Sequence, residues 1–384
     1  MNHAVMLLSN AFRPDPRVLK EAESLVTLGY QITIICWDRA SEMKPEENLE
    51  SGVHVIRVQS IPSAYGTGMK QLFRLPRFWL ATLPILNRLD PDLIHCHDFD
   101  TLPIGLLWGK IHHRPIVYDA HEYYAQLCKP RLQGLSGALL YRFIGVAERL
   151  SARRASAVVT VDDLLGSVYD RINRQVVIIG HYPNRSFAKE PNPVFTRRDL
   201  TLIYVGRLSI DRGLLSYANI LRALCQQNIP ARLKLVGVFT SADEEQIFRN
   251  HCRGLEDSID ILGWIPYQQI FPLLRESDIG LAILKPEPRY VVALPVKLFE
   301  YMAAGLPVVA SNFSPIAGIL QNCCCGALVD PLNPEDAFHQ IRYWWENRGE
   351  ARLVGENGRQ AILQKYNWES LVGQLDKLYH LLLH

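Results

Sequence analysis

The chain opens with the stretch AVMLLSNAFRPDPRVLKEAESLVTLGYQITIIC, residues 4–36, in which a helical segment separates two apolar runs. The runs 4–9 and 31–36 predict buried strands, because short continuous apolar segments are typical of strands covered on both faces. Between them, Asp15 and Pro16 predict the start of a helix, since aspartate caps free N–H groups and proline fits the first helical position. The stretch therefore predicts a βαβ unit whose two strands lie parallel in one sheet.

The same alternation of strand and helix signals continues and then restarts near the middle of the chain. Further strands are predicted at 53–58, 93–94, 116–118, 157–161 and 176–179 and, after the restart, at 200–205, 231–237, 259–262, 279–284 and 307–311. We predict an α/β protein with a Rossmann-like, doubly wound domain over 1–185, a proline-containing linker over 186–199 and a second Rossmann-like domain over 200–365. A final helix over 366–384 is predicted to pack back toward the first domain. Two such domains facing each other would leave a cleft at the carboxyl ends of both sheets, where ligands bind in such folds.

Composition narrows the class of protein. The 384 residues are 48% hydrophobic and 21% charged, which is enough apolar material for two cores and argues against disorder. The net charge of +2 shows no basic excess of the kind that nucleic-acid-binding proteins carry. Because there is no long uncharged apolar run, no secretory signal and no CxxC pair among the eight cysteines, we expect a soluble cytoplasmic protein with reduced thiols.

Several common catalytic motifs are missing from the sequence. It contains no GxGxxG after either opening strand, no GxxxxGK[ST] and no HExxH, which weighs against a dehydrogenase, a P-loop NTPase and a zinc protease. The segment His95-Cys96-His97-Asp98 has residues that can bind metals, but alternation along a strand places the two histidines on one face and the cysteine on the other. Polar residues at a strand end beside a cleft explain the segment as well, and we assign no metal site.

The segment LPVKLFEYMAAGLPVVAS, residues 294–311, is the first candidate for chemistry. It predicts a helix whose start, at Val296 and Lys297, would offer free N–H groups and the positive end of the helix dipole to a phosphate. Glu300, on the same face, could accept hydrogen bonds from both hydroxyls of a ribose. The alternative is an ordinary connecting helix with a Lys–Glu pair on its surface.

A second candidate is GRLSIDRG, residues 206–213. It places Arg207 just after a predicted strand and Arg212 five residues later, in a loop bounded by glycines. Two guanidinium groups at one strand end match the paired oxygens of a pyrophosphate, although two surface arginines would give the same pattern.

Together with LGWIPYQQIFPLLRESDIGL (262–281), these two segments resemble the C-terminal domain of glycosyltransferase family 4, the large retaining group with the GT-B fold. The segments 9–38, 91–105 and 115–122 resemble the N-terminal, acceptor-binding domain of the same family. The resemblance covers nearly the whole chain in the right order, and it implies the GT-B fold, two Rossmann-like domains facing across a cleft.

The resemblance also assigns roles to individual positions. Arg207 matches the arginine that contacts the diphosphate of the sugar-nucleotide donor, and Arg212 stands where a lysine is usual. Glu300 matches the glutamate that holds the ribose. His121 matches the histidine beneath the transferred sugar, which positions that sugar for catalysis. Backbone groups at Trp264 and Ile265 would meet the nucleobase.

Two departures from the family pattern affect the sugar and the diphosphate. Val292 stands eight residues before Glu300, where many members carry the glutamate that reads the sugar hydroxyls, so Arg289 or Tyr290 would have to make that contact. Asn10 and Ala11 replace a glycine pair after the first strand, which puts the contact of that loop with the diphosphate in doubt.

The resemblance implies a retaining, metal-independent glycosyltransferase that uses a UDP- or GDP-sugar as co-substrate and needs no further cofactor. Its acceptor would be a polysaccharide precursor, a glycolipid or another hydroxyl compound. Two alternatives stay open: a GT-B sugar-nucleotide epimerase, which turns over the sugar nucleotide alone, and a non-catalytic subunit that binds sugar nucleotides, which the loss of the glutamate at Val292 would suit.

The segment 68–88 mixes basic with apolar and aromatic residues. Such a segment either rests on an anionic membrane or forms helices that pack on the first domain. Four arginines within 141–154 could extend a basic face. No nucleic-acid partner is expected.

Overall fold

The chain forms two units, each built around its own sheet. The structure is a computed structural model that describes residues 1–13, 15–63, 69–128, 134–192 and 194–384. We call Met1–His181 together with Leu371–His384 unit 1, and Tyr182–Ser370 unit 2. The predicted fold class, two Rossmann-like α/β domains, is confirmed.

Unit 1 is an eight-stranded sheet in the order β3-β4-β2-β1-β5-β6-β7-β8. Every strand pair is parallel except β3 with β4. In chain order the elements are β1 (His3–Leu8), α1 (Pro16–Thr27), β2 (Gln31–Trp37), β3 (Glu46–Asn48), β4 (His54–Val58), α2 (Met69–Leu89), β5 (Leu93–His97), α3 (Leu102–His112), β6 (Ile116–Ala120), α4 (Tyr124–Cys128), α5 (Gly134–Ala152), β7 (Ala157–Thr160), α6 (Asp163–Tyr169) and β8 (Val176–Ile178).

The βαβ unit at the start of the chain forms as predicted. The carboxylate of Asp15 caps α1 by accepting hydrogen bonds from the backbone N–H groups of Arg17 (3.1 Å) and Val18 (3.4 Å). Strand β1 pairs in parallel with β2, with His3 opposite Gln31. The short strand β3 was not predicted, because its polar sequence Glu-Glu-Asn lacks the apolar alternation by which strands are recognised.

Unit 2 is a six-stranded sheet in the order β11-β10-β9-β12-β13-β14, and all of its strand pairs are parallel. Its elements are β9 (Leu200–Val205), α7 (Leu214–Gln226), β10 (Ala231–Val236), α8 (Ala242–His251), β11 (Ile259–Gly263), α9 (Tyr267–Arg275), β12 (Ile279–Ala282), α10 (Pro288–Val291), α11 (Val296–Ala303), β13 (Val308–Ser311), α12 (Ser314–Cys323), β14 (Gly326–Val329), α13 (Pro334–Glu346), α14 (Arg348–Gln364) and the first residues of α15 (Trp368–Leu383).

The segment 186–199, predicted as a linker, lies within unit 2 instead. Ala188, Val194 and Phe195 are buried in the core of unit 2. The buried carboxylate of Asp278 accepts hydrogen bonds from the backbone N–H groups of Phe195 and Thr201, which fastens the segment to the sheet. The prolines and charges of this stretch gave it the composition of a linker, although its few apolar residues are core residues.

The residues Leu371–His384 complete unit 1. Tyr379 is fully buried, and its hydroxyl lies 2.8 Å from Nδ1 of His95 on β5. The hydroxyl of Tyr30 donates a hydrogen bond to Asp376 (3.2 Å), and its ring meets that of Tyr379 edge to face.

Most of the segment 68–88 forms helix α2; its first residue, Gly68, lies outside the described residues. Leu75, Phe78 and Leu86 are buried, and the ring of Phe78 stacks on that of Trp37 at 5.3 Å. The apolar face of α2 is therefore used mainly for packing within unit 1. Among the described residues, no helix combines the length and the apolar character needed to cross a membrane.

Candidate functional site

The loops after β9 and β10 approach each other closely, and this approach depends on glycine. A Cβ atom on Gly237 would lie 1.9 Å from the carbonyl oxygen of Gly206, and both residues have positive φ angles, +149° and +133°. Arg207 follows directly, with its carbonyl held by the hydroxyl of Tyr204 (2.9 Å). The side chain of Arg207 is exposed and makes no hydrogen bond or ion pair with any part of the chain that the structure describes.

Lys297, the second residue of α11, is a buried cation. Its Nζ lies 3.7 Å from the centre of the Tyr204 ring and has no hydrogen-bond partner among the described residues. A Cβ on Gly206 would lie 3.0 Å from this Nζ. Burial and the charge of Arg212 hold the pKa of Lys297 well below its usual range, while Glu300 acts in the opposite direction. A desolvated amine that has neither a hydrogen bond nor an ion pair among the described residues favours the binding of an anion.

The start of α11 adds free backbone donors beside Lys297. Pro295 occupies the N-cap position and provides no side-chain hydrogen bond, and Val296 is exposed. The first N–H groups of the helix therefore keep their capacity to bind an anion, and the helix dipole favours one there.

Glu300 lies near the residues predicted to meet the nucleobase. Glu300 is buried one turn into α11. The pKa of Tyr267, the first residue of α9, is raised mainly by the burial of Tyr267 and further by the charge of Glu300. Trp264 and Ile265 lead directly into that helix; Ile265 packs on the core, whereas Trp264 is 74% exposed. The predicted ribose-binding and base-binding residues thus lie next to each other in unit 2.

Arg289 and Tyr290 belong to a cluster around Asp211 that sequence reasoning missed. The hydroxyl of Tyr290 donates to Asp211 (2.9 Å) and accepts from Nε of Arg212 (3.2 Å). Arg289 forms an ion pair with the same carboxylate, and Ser209 donates a hydrogen bond to it. Although partial burial opposes the shift, the hydrogen bonds from Ser209 and Tyr290 and the charge of Arg289 lower the pKa of Asp211.

This cluster fixes Arg212 and engages both residues that were predicted to contact the sugar. The assignment of Arg289 and Tyr290 to the sugar stays a prediction, with Asp211 as a further partner of each. Val292, at the position of the missing glutamate, is exposed. A signal for the cluster was present in the sequence, since Asp211 lies between Ser209 and Arg212 in the loop already singled out.

The polar groups of the loop at Asn10 and Ala11 form hydrogen bonds with other residues of unit 1. The side-chain oxygen of Asn10 accepts from the N–H of Phe12 (2.8 Å), and its amide donates to Asp15 (3.4 Å). The carbonyl of Ala11 accepts from Nε of Arg57 (3.1 Å). A role for this loop in binding the diphosphate stays a prediction.

His121 lies in unit 1, directly after β6. Its Nε2 is 3.2 Å from Nδ1 of His97 and 3.5 Å from Oδ2 of Asp119, and its side chain is 21% exposed. Burial alone would lower the pKa of His121, but the charges of Asp98 and Asp119 raise it to about 9. Burial lowers the pKa of His97 to about 3. His121 is therefore protonated at neutral pH and His97 is neutral.

Asp119 is itself held by a buried arginine. Both of its oxygens accept from a terminal nitrogen of Arg17, each at 3.0 Å, and the other terminal nitrogen of Arg17 donates to the carbonyl of Ile179 (2.7 Å). Glu21, one helical turn after Arg17, forms a second ion pair with it at 3.1 Å. Despite complete burial, the charges of Arg17 and His121 keep the pKa of Asp119 well below its usual value.

The buried network contains four residues that can bind metals. Donor atoms of Glu21, His95, His97 and Asp119 lie within 4.8 Å of one another. The two histidines share one face of β5, as predicted, and their rings stack at 4.6 Å. The guanidinium of Arg17 already pairs with both carboxylates, so a dication would meet a fixed positive charge at this point. The cluster fits a buried ion-pair network better than a metal site.

The raised pKa of His121 predicts how stability depends on pH. Folding raises this pKa from 6.5 to about 9, so the stabilisation is complete below pH 6.5 and is lost as the pH rises through 9. We expect the free energy of unfolding of unit 1 to fall by about 2 kcal/mol between pH 7 and pH 9. Urea unfolding of the wild type and of His121→Gln at both pH values measures this fall.

The glutamine variant should show a much flatter profile, because it cannot take up the proton. Burial raises the pKa of Glu21 from 4.5 to about 7, so the stabilisation that this residue contributes is lost as the pH rises from about 4.5 to 7, mainly below the two pH values that are compared. Parallel profiles for the two proteins would contradict the assignment.

Comparisons with known proteins show which family the chain resembles. A sequence model of the family described as "Glycosyl transferase 4-like domain" matches residues 14–173, and one described as "Glycosyl transferases group 1" matches 199–347. An uncharacterized glycosyltransferase of Methanocaldococcus jannaschii is 24% identical over 93% of this chain and 91% of its own length. A GDP-mannose-dependent alpha-(1-6)-phosphatidylinositol dimannoside mannosyltransferase of Mycobacterium tuberculosis is 28% identical over 68% of this chain and 67% of its own.

Solved structures show the same fold. Sucrose-phosphate synthase of Thermosynechococcus elongatus aligns with a TM-score of 0.80 at 19% identity and 99% coverage of both chains. HepE of Anabaena in complex with UDP aligns with a TM-score of 0.75 at 16% identity and 100% coverage of both.

The two Rossmann-like units and the two matching sequence models make this chain an enzyme of the GT-B glycosyltransferase class. Within that class it belongs to glycosyltransferase family 4.

Proposed function

We propose that this enzyme transfers a sugar from a nucleotide-diphosphate sugar to a hydroxyl acceptor, with retention at the anomeric carbon and without a metal ion. The observation that carries the proposal is Lys297, a buried cation without a hydrogen-bond partner among the described residues, at the uncapped start of α11. A diphosphate supplies the anion that such a site needs.

Unit 2 would hold the donor and stabilise the leaving group. Cleavage of the bond between sugar and phosphate places negative charge on the departing phosphate and positive charge on the sugar. Arg207, Arg212 and Lys297 would stabilise that negative charge with groups that are already in place. Glu300 would bind the ribose hydroxyls, and the backbone at Trp264 and Ile265 would meet the base.

Unit 1 would contribute His121. Because its pKa is raised to about 9, His121 carries its proton at neutral pH and acts as a hydrogen-bond donor to the sugar, not as a base. The acceptor oxygen bonds to the anomeric carbon on the face from which the phosphate departs, and the acceptor hydroxyl gives its proton to a phosphate oxygen. This route needs no enzyme nucleophile and accounts for retention.

The named relatives suggest which substrates to test first. The Mycobacterium tuberculosis relative is named a GDP-mannose-dependent phosphatidylinositol dimannoside mannosyltransferase, and a further relative, of Xanthomonas oryzae, is named a GDP-mannose:cellobiosyl-diphosphopolyprenol alpha-mannosyltransferase. HepE was solved with UDP and with UDP-glucose. We propose a GDP- or UDP-hexose as donor and a lipid-linked saccharide or polysaccharide precursor as acceptor. A cytoplasmic enzyme fits the eight cysteines, all of which are free.

Arg207→Ala should lower kcat/KM by about 100-fold or more, because one charged group facing the leaving phosphate is lost. The assay measures release of GDP or UDP with GDP-mannose and UDP-glucose, in EDTA, over a set of lipid-linked glycan acceptors. NMR of the product gives the anomeric configuration. Arg253→Ala, which removes an exposed arginine bonded to Asn250, is the matched control and should act like the wild type.

If Arg207→Ala and His121→Ala both stayed within a few fold of the wild type, the proposed site would be wrong. Turnover of the sugar nucleotide alone to an epimer would support the epimerase. Tight binding without transfer or hydrolysis across all acceptors would support the non-catalytic subunit.

A further inference from the structure

Helix α5 of unit 1 carries a row of large apolar side chains on its solvent-facing side. Leu139, Phe143, Val146 and Leu150 are 68%, 69%, 57% and 47% exposed. Their spacing of four, three and four residues places them along one face of the helix. We call these four residues the α5 stripe.

The opposite face of α5 is firmly packed, so the stripe is not the result of a loosely held helix. Ile144 and Ala152 are buried. Glu148 is also buried and accepts hydrogen bonds from the hydroxyls of Tyr118 (2.9 Å) and Tyr169 (2.7 Å). The exposure of the stripe is therefore a fixed property of unit 1.

The exposed charged residues on α5 and just after it are all positively charged. Arg142, Arg149, Arg153 and Arg154 are exposed, and the helix has one acidic residue, the buried Glu148. Apolar side chains flanked by arginines match the boundary of a bilayer with anionic headgroups, where the apolar groups enter the acyl region and the cations meet phosphates.

A pocket next to the stripe has the chemistry of a phosphate site. Its volume is about 360 Å³, and it is lined by Arg149 of α5 together with Ser167, Val168, Arg171 and Ile172 from α6 and the turn after it. The two guanidinium groups can bind the oxygens of a phosphodiester, whereas the hydroxyl of Ser167 donates its proton to the carbonyl of Leu164 (2.7 Å). Arg149 directly precedes Leu150, which places the pocket at one end of the stripe.

We infer that unit 1 docks on an anionic lipid bilayer through the α5 stripe, with the phosphate of a lipid headgroup in the Arg149–Arg171 pocket. Leu107 and Ile111, exposed on the adjacent helix α3, widen the apolar surface. The inference places the membrane contact on α5 and not on α2, for which a membrane contact was one of two alternatives, because Leu75, Phe78 and Leu86 of α2 are buried. It does not depend on the proposed function.

The test is sedimentation with vesicles in the absence of sugar nucleotide and acceptor. Vesicles of phosphatidylcholine alone are compared with vesicles that contain about 30% phosphatidylglycerol, which gives a strongly anionic surface. We expect the wild type to bind the anionic vesicles at least tenfold more tightly. Phe143→Gln combined with Val146→Gln should lower that affinity about tenfold or more.

Leu80→Gln is the matched control, because Leu80 is 66% exposed on α2. It should bind like the wild type. Arg149→Gln combined with Arg171→Gln should remove the preference for anionic vesicles. Thermal unfolding of each variant checks that unit 1 is intact.

Three results would overturn the inference. Equal binding to both vesicle types would exclude recognition of anionic lipid. Loss of binding in Leu80→Gln but not in the α5 variant would assign the contact to α2. In the third result, the wild type binds no vesicles and forms a dimer in sedimentation velocity, and Phe143→Gln combined with Val146→Gln converts that dimer to a monomer. The stripe would then be a contact between two copies of the chain.

Discussion

Lys297→Met is expected to lower kcat/KM for the sugar nucleotide by about a thousandfold while leaving unit 2 at least as stable as in the wild type. Methionine keeps most of the volume of lysine in the buried site beside Tyr204, and it removes an ammonium that has no hydrogen-bond partner among the described residues. A cation kept in such a place lowers stability unless a ligand pairs with it. Loss of activity without loss of stability is the signature of a residue retained for binding an anion.

Calorimetry tests a second property of Lys297, which is the uptake of a proton when the nucleotide binds. The pKa of Lys297 is held well below its usual range in the free protein, and a bound diphosphate would raise it. Binding of GDP or UDP should therefore take up a proton at a pH between the free and the bound pKa of Lys297, seen across a pH series as a dependence of the heat on the ionisation enthalpy of the buffer. The methionine variant should bind weakly and without proton uptake.

Lys365→Met provides the control for this variant. Lys365 also lies over a tyrosine ring, that of Tyr366 at 4.9 Å, but it is exposed. It should change neither kcat/KM nor proton uptake. A Lys297→Met protein that unfolds more easily and keeps its kcat/KM would show that Lys297 is structural.

Asp119→Ala is expected to destabilise unit 1 by about 3 kcal/mol or more. The change removes two hydrogen bonds from Arg17 and leaves a fully buried guanidinium with Glu21 as its remaining ion-pair partner among the described residues. Breaking one side of a buried ion pair is strongly destabilising because the remaining charge stays desolvated. Urea unfolding near pH 7 measures the effect.

The double variant Arg17→Met, Asp119→Ala should recover a substantial part of that loss, because both charges are gone. Glu42→Ala, which breaks an exposed ion pair with Arg13, should change stability by less than about 1 kcal/mol. Equal losses in Asp119→Ala and in the double variant would mean that Arg17 is not stabilised by Asp119. The pKa of His121 should also fall in the single variant, although the charge of Asp98 still raises it, and an NMR titration would detect this fall.

Sequence patterns predicted most of the sheet but not the groups that support the site. Apolar runs such as 31–36 and the cap at Asp15 are local signals, and both are confirmed. The edge strand β3 has no apolar signal. The contact between Arg17 and Asp119 joins residues far apart in sequence, so only the folded sheet reveals it.

The site in unit 2 likewise combines residues that local sequence patterns predict with contacts that those patterns do not predict. Arg207, Lys297 and Glu300 were predicted because each follows a local pattern at the end of a strand or the start of a helix. The anchoring of Arg212 by Tyr290 and Asp211 depends on how the segment 286–291 folds over the loop after β9, which periodicity does not encode. The segment 186–199 was misassigned because the few residues that it buries are outnumbered by charges and prolines.

The discontinuity of unit 1 affects the order in which the protein can mature on the ribosome. Leu371–His384, which place Tyr379 against His95 and Tyr30, are synthesised only after every residue of unit 2 has been made. The first half of the chain therefore leaves the ribosome with the apolar surface around His95 and Tyr30 uncovered. That surface gains its contacts with Tyr379 only when the last residues have been made. A chain shortened before Leu371 would leave His95 and Tyr30 without these contacts permanently.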